Sequence, residues 1–146
     1  MSPADRDRDA TGRARNARPR DATGRPLSRG AAGIPRVPED LELTPAQALA
    51  QAQQYLDDDL PFQAHEVFEA MWKQRRDAGF DDAGMWQGLA QIAVGLTHAQ
   101  RGNTTGAVTL LRRGTATVAE HVGAPEVAIA DLVSRAEYLA IRLEKG

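Results

Sequence analysis

The chain contains no cysteine. Disulfides, thiolate zinc ribbons, iron–sulfur clusters and cysteine nucleophiles are thereby excluded, and the composition suits a reducing compartment. No apolar core of the kind a secretory signal needs stands in the opening residues Met1 to Ala10, so the expectation is a cytoplasmic protein. At 146 residues the chain also lacks the length of a large multidomain enzyme and matches one ordinary globular domain.

Acidic residues are scarce in one part and abundant in the rest. Residues 1–36 hold nine Arg against four Asp, a net charge of +5, whereas the remaining residues carry a net charge of −7. The same N-terminal part lacks large apolar residues apart from Met1, Leu27 and Ile34, and Gly12, Pro19, Gly24, Pro26, Gly30, Gly33 and Pro35 punctuate it. Such a segment has no means of burying a core of its own. Residues 1–43 therefore read as an extended Arg-rich arm, and 44–146 as the folded domain. Arg-Asp-Ala-Thr-Gly-Arg stands at 8–13 and again at 20–25, which reads as two similar Thr-Gly turns; two copies are too few for a solenoid. Three roles stay open for the arm: a mobile tail, a segment laid across the acidic body or a neighbouring subunit of a homo-oligomer, or a nucleic-acid contact. The last is disfavoured because no aromatic residue is interleaved for base stacking and four Asp dilute the field.

From residue 44 the pattern is helical throughout. Thr44-Pro45-Ala46-Gln47 offers a capping Thr, a proline at the first helical position and a Gln three residues after the cap, predicting a helix to about Asp57. Further helices are predicted from about Pro61 to Ala78, from Ala83 to Gln100, from Thr104 to Val122, and after Ala124-Pro125-Glu126. In the last of these, Ile129, Leu132, Val133, Ala136, Ala140 and Leu143 share one face. No stretch alternates as a strand does. The expected fold is all-α, a compact bundle of about five helices.

The third helix lacks charge altogether. Ala83 to Gln100 holds no Asp, Glu, Lys or Arg, which predicts a central helix buried on every side. Three Gln, a His, a Thr and three Gly make it a poor membrane span, so no membrane is expected. Gly84, Gly88 and Gly95 would let neighbouring helices approach its backbone. Met85, Leu89, Ile92 and Leu96 fall on one side, and Gln87, Gln91, Val94 and His98 within an arc of about 60° on the other. A buried polar stripe needs partners, and the second helix offers them. There Phe62, His65, Phe68, Glu69 and Trp72 lie within about 120° of one another, with Glu66 about 100° from His65. The expectation is a buried cluster in which His65 and Glu69 meet Gln87, Gln91 and His98.

In His65-Glu66-Val67-Phe68-Glu69-Ala70-Met71-Trp72, Gln87-Gly88-Leu89-Ala90-Gln91 and Arg101-Gly102-Asn103 the chain resembles the small helical family known as domain of unknown function 309. The likeness covers roughly residues 44–122, and the Arg-rich start looks like the variant of that family found in actinobacteria. The resemblance implies a helical fold. It also brings a label of metal-dependent hydrolase, resting on the motif itself.

That label translates into named roles. In a zinc-protease helix two His one turn apart bind the metal and the Glu after the first acts as base. Carried over, Glu66 would be the catalytic base and His65, Glu69 and His98 the ligands of Zn²⁺ or of a harder ion such as Mn²⁺. Gln87, Gln91 and Trp72 would surround them. Glu69 stands where the protease motif has its second His, and His121 is the one other imidazole. Two alternatives remain: a metal-free acid–base pair, and a structural network in which these groups satisfy one another and fix helix register. Under the latter the protein is a non-enzymatic helical scaffold or partner-binding module. Leu96, Ala99, Gly102-Asn103, Ala107 and Leu110 locally resemble a tetratricopeptide hairpin. An open apolar groove lined by the first and fifth helices would favour the binding module.

Overall fold

The computed structural model describes residues 42–121 and 126–146, together with Val37 and two short extended pairs. Those pairs, β1 (Asp7–Arg8) and β2 (Ala14–Arg15), form an antiparallel ladder with Asp7 in register with Arg15 and Arg8 with Ala14. A ladder this short leaves no alternation for a sequence to display. The rest of the arm, including the Thr-Gly turns, the second repeat copy and the choice among its three roles, lies outside the described residues. So do Val122 and the break at 123–125.

Five helices form the body: α1 (Pro45–Asp57), α2 (Pro61–Asp77), α3 (Ala83–Gln100), α4 (Thr104–His121) and α5 (Val127–Glu144). Thr44 opens α1 with a full capping box: its hydroxyl accepts from the Gln47 N–H at 3.2 Å, and the Gln47 side chain accepts from the Thr44 N–H at 2.9 Å. α1 ends where Asp59 turns left-handed at φ 58°, a conformation Asp tolerates, and Pro61 starts α2. Gly79 (φ 76°) and Gly102 (φ 79°) stop α2 and α3 in the same region, where a side chain would be strained.

α3 is the central helix. It packs most extensively on α4 and next on α2, while α1 rests on α2 and α5 on α4. Trp86, Leu89, Ile92 and Ala93 are almost fully buried, against Val67, Phe68 and Met71 of α2 and Leu111 of α4 in one core. The α3–α4 seam is a backbone contact. A Cβ at Gly114 would stand 2.8 Å from both the Gly88 carbonyl oxygen and the Ile92 nitrogen, and one at Gly95 would stand 3.0 Å from the Leu111 nitrogen. Val37 belongs to the same core at 3 % exposure, although it lies within the residues read as arm.

Burial on every side is corrected. Gln87, Gln91, Val94 and His98 are only half-buried, because α2 and α4 flank that arc without closing over it. Among the described residues no helix is long and apolar enough to cross a membrane.

Candidate functional site

On α2 the buried arc is Gln63, Ala64, Val67, Phe68 and Met71. His65, Glu69 and Trp72 stand at its margin and are half-buried, so the expected buried cluster is instead a half-open one. His65 Nε2–H donates to Glu69 Oε2 at 2.7 Å, and Lys73 reaches Glu69 Oε1 at 3.0 Å. These three side chains follow one another at four-residue spacing, the helical neighbour distance. The His65 hydrogen bond, reinforced by Lys73 against the opposing effect of burial, lowers the Glu69 carboxyl from 4.5 to about 2. It is therefore ionised at neutral pH.

His65, Glu69 and Trp72 line a groove of about 250 Å³ together with Gln87, Ala90, Gln91 and Val94 of α3 and Leu110 of α4. The Thr117 hydroxyl donates to Gln91 Oε1 at 3.1 Å and ties α4 to this wall. Arg76 lies over the Trp72 ring, 5.0 Å from its centroid. Five of the motif side chains thus converge from two helices as their spacing predicts.

Two candidates stand elsewhere. His98 lies one turn beyond Val94, about 6 Å farther along the axis, and serves the α3–α4 turn. Its Nδ1 accepts from Asn103 Nδ2 at 3.2 Å, while Asn103 Oδ1 accepts from the Gly106 N–H at 3.0 Å. A Cβ at Gly106 would stand 2.5 Å from Asn103 Nδ2, so the Arg-Gly-Asn motif and the following glycine are one turn-and-cap device. Glu66 is half-buried on α2 and does not line the groove. His121 is engaged at the far end of α4, where its Nδ1–H donates to the Thr117 carbonyl at 2.8 Å and its ring occupies the space a side chain at Gly84 would need.

The donor set for a divalent ion is incomplete. His65 and Glu69 are spent on each other, an ammonium group holds the second oxygen of Glu69, and His98 is committed to Asn103. Among the described residues no three His, Asp or Glu side chains come together as a metal site. The residues present do not fit the ion that the motif suggests.

Two features escaped the sequence. Gln63 is fully buried on α2, and neither its Nε2 nor its Oε1 has a hydrogen-bond partner among the described residues. An amide reads as a surface residue in any pattern that scores apolar spacing alone. The second feature is a groove of about 340 Å³ on the opposite flank of α3. Leu56, Asp59 and Pro61 form one wall, Leu96, Ala99 and Gln100 the floor, and Leu132, Arg135, Ala136 and Leu139 of α5 the other wall. Its apolar positions were legible as helix faces, but the gap between those faces depends on how α5 is seated.

No curated protein and no solved structure matches the chain. Residues 49–110, which span most of α1, all of α2 and α3 and the first turns of α4, match the family described as Domain of unknown function (DUF309).

Proposed function

We propose that the helical domain is a non-enzymatic scaffold in which the His65–Glu69–Lys73 ladder braces successive turns of α2 where it faces α3. The observation that carries this reading is the allocation of the polar groups: both oxygens of Glu69 are answered by His65 and Lys73, and His98 by Asn103. A carboxyl held at about 2 is no proton donor at neutral pH, and a carboxylate bridged between an imidazole and an ammonium group is a latch between successive turns. Apolar Ala90, Val94 and Leu110 beside it give the latch a packed floor.

Thermal melting with Zn²⁺, Mn²⁺ and chelator tests the reading. The scaffold predicts a melting temperature indifferent to all three, with Glu69→Gln and His98→Gln both melting lower. A resident ion at a hundredfold excess over its Kd would stabilise the fold by about 2.7 kcal/mol. Saturable stabilisation by metal, lost in His65→Ala but kept in Glu66→Gln, would instead establish an ion site, and a hydrolysis activity lost in Glu66→Gln would establish the metal-dependent hydrolase reading.

A further inference from the structure

We propose that the groove between the α1–α2 turn and α5 is a docking site for an amphipathic helix of a partner protein. This extends the scaffold reading by naming what the scaffold holds. α5 packs on α4 and slightly on α3, and its contact with α1 and α2 is marginal at most, so the space between α1 and α5 is one a further helix could fill.

Each boundary of that space has its own cause. The near wall is fixed, because Gln100 Nε2 donates to the Asp59 carbonyl at 2.8 Å and so pins the α1–α2 turn to the end of α3. The far wall presents Leu132, Ala136 and Leu139 at helical spacing over about 10 Å of axis. The volume is about 340 Å³. Removing one leucine side chain from a core leaves roughly 150 Å³, so the groove takes about two such side chains. A helix delivers two from positions four apart on one face.

The rim selects among apolar occupants. Arg135 is 58 % exposed, and its ion-pair partner among the described residues, Asp131, stands at 3.8 Å, a long contact that leaves the guanidinium donors available. Asp59 lines the opposite wall. One cation and one anion across an apolar floor complement a helix with an acid on one side of its apolar stripe and a base on the other. A fatty-acid carboxylate would be attracted by Arg135 and repelled by Asp59.

The test uses the full chain and a capped alanine-based peptide of roughly 14 residues, about four turns, carrying two leucines four apart with Glu on one flank and Lys on the other. Binding is followed by NMR chemical-shift changes. The expected result is saturable binding with shifts confined to the ends of α1 and α3 and to α5. Arg135→Glu should weaken it about fivefold, and a peptide with Lys on both flanks, which answers an acid on each wall, should restore affinity to that variant alone. Ala99→Phe, which fills the groove, should abolish binding with the far-UV circular dichroism unchanged. If that variant misfolds, the charge exchange at exposed Arg135 still decides. Absence of saturable binding by either peptide overturns the proposal. So does decanoate binding where neither peptide binds, and so does concentration-dependent self-association lost in Arg135→Glu, which would make the groove an interface between copies. Metal-dependent melting would defeat the scaffold reading without altering any of these outcomes.

Discussion

α3 meets its neighbours on two flanks in opposite ways. Along α4 the helices touch backbone to backbone at Gly88, Gly95 and Gly114, with no room for a single added carbon. Toward α5 contact is slight, and Leu96, Leu132 and Leu139 border an open groove. Residue size explains the contrast. Glycines shorten the interaxial distance until backbone dipoles and side-chain methyls fill the seam, whereas leucines on both sides hold helices apart unless they interlock. The tight flank gives the molecule a rigid spine, and the loose flank leaves apolar surface for something else to cover.

The sharpest way to break this comparison is a pair of leucine truncations. Leu89 is fully buried, and Leu89→Ala should destabilise by about 2–5 kcal/mol in chemical denaturation. Leu96 lies two turns farther along the same face, at the groove floor, and is half-buried. Leu96→Ala opens space already accessible to solvent, so it should cost clearly less, with little cavity contribution beyond lost transfer energy. Equal losses would mean that the groove is closed in solution.

Next in size is Gly114→Ala. Its Cβ would meet the Gly88 oxygen and Ile92 nitrogen, atoms that yield only by parting the helices. Overpacking of this kind costs about 1–3 kcal/mol, against roughly 1 kcal/mol regained from helix propensity. A variant that melts above the parent would show that the seam has slack.

These two substitutions also mark how far the sequence could be read. The glycines and the leucines of α3 were legible, because helix faces follow from 100° steps and an uncharged helix belongs in the middle. The capping box at Thr44 was legible for local chemical reasons, and the extents of α2 and α3 followed within a residue. The motif side chains His65, Glu69, Trp72, Gln87 and Gln91 line one groove, as the helical spacing indicated. Their burial was overestimated, since a helical wheel gives direction but not the height of the neighbouring walls. His98 shares the Gln87–Gln91 arc, yet it turns to Asn103 because the chain reverses two residues after α3 ends. Angular position carries no information about which end of a groove a residue occupies. Gln63 defied the pattern because a buried amide and an exposed one are the same letter.

A smaller effect belongs to the latch. Glu69→Gln should cost less than about 1 kcal/mol at neutral pH, since the Glu69 side chain is 36 % exposed and its ion pairs are screened. The sign with pH follows from the direction of the shift. The folded-state carboxyl titrates below its ordinary value, so its contribution is fully present above about 4.5 and is lost as pH falls from 4.5 toward about 2. The stability difference between parent and Glu69→Gln should therefore shrink through that acid window. A difference that grows on acidification would mean that Glu69 is protonated in the folded state and donates its hydrogen.

The smallest expected effect is at the clasp that closes α4 on α5. Arg112 donates from Nε and Nη2 to Glu144 Oε1 and Oε2 at 3.0 and 2.7 Å, a two-point contact. The pairing raises the titration of the Arg112 guanidinium and lowers that of the Glu144 carboxyl, each through its hydrogen bonds to the other. Both side chains are nonetheless close to half exposed, at 46 % and 45 %, where water and salt compete for every donor. Arg112→Ala should leave global stability unchanged at high salt and nearly so at low salt. Its signature should be local: faster amide hydrogen exchange over the last turns of α5, with the α3–α4 seam unaffected. A global loss of stability would show that α5 depends on this clasp for its seat. The loose flank would then be loose because a single surface ion pair holds it, rather than because leucines keep the helices apart.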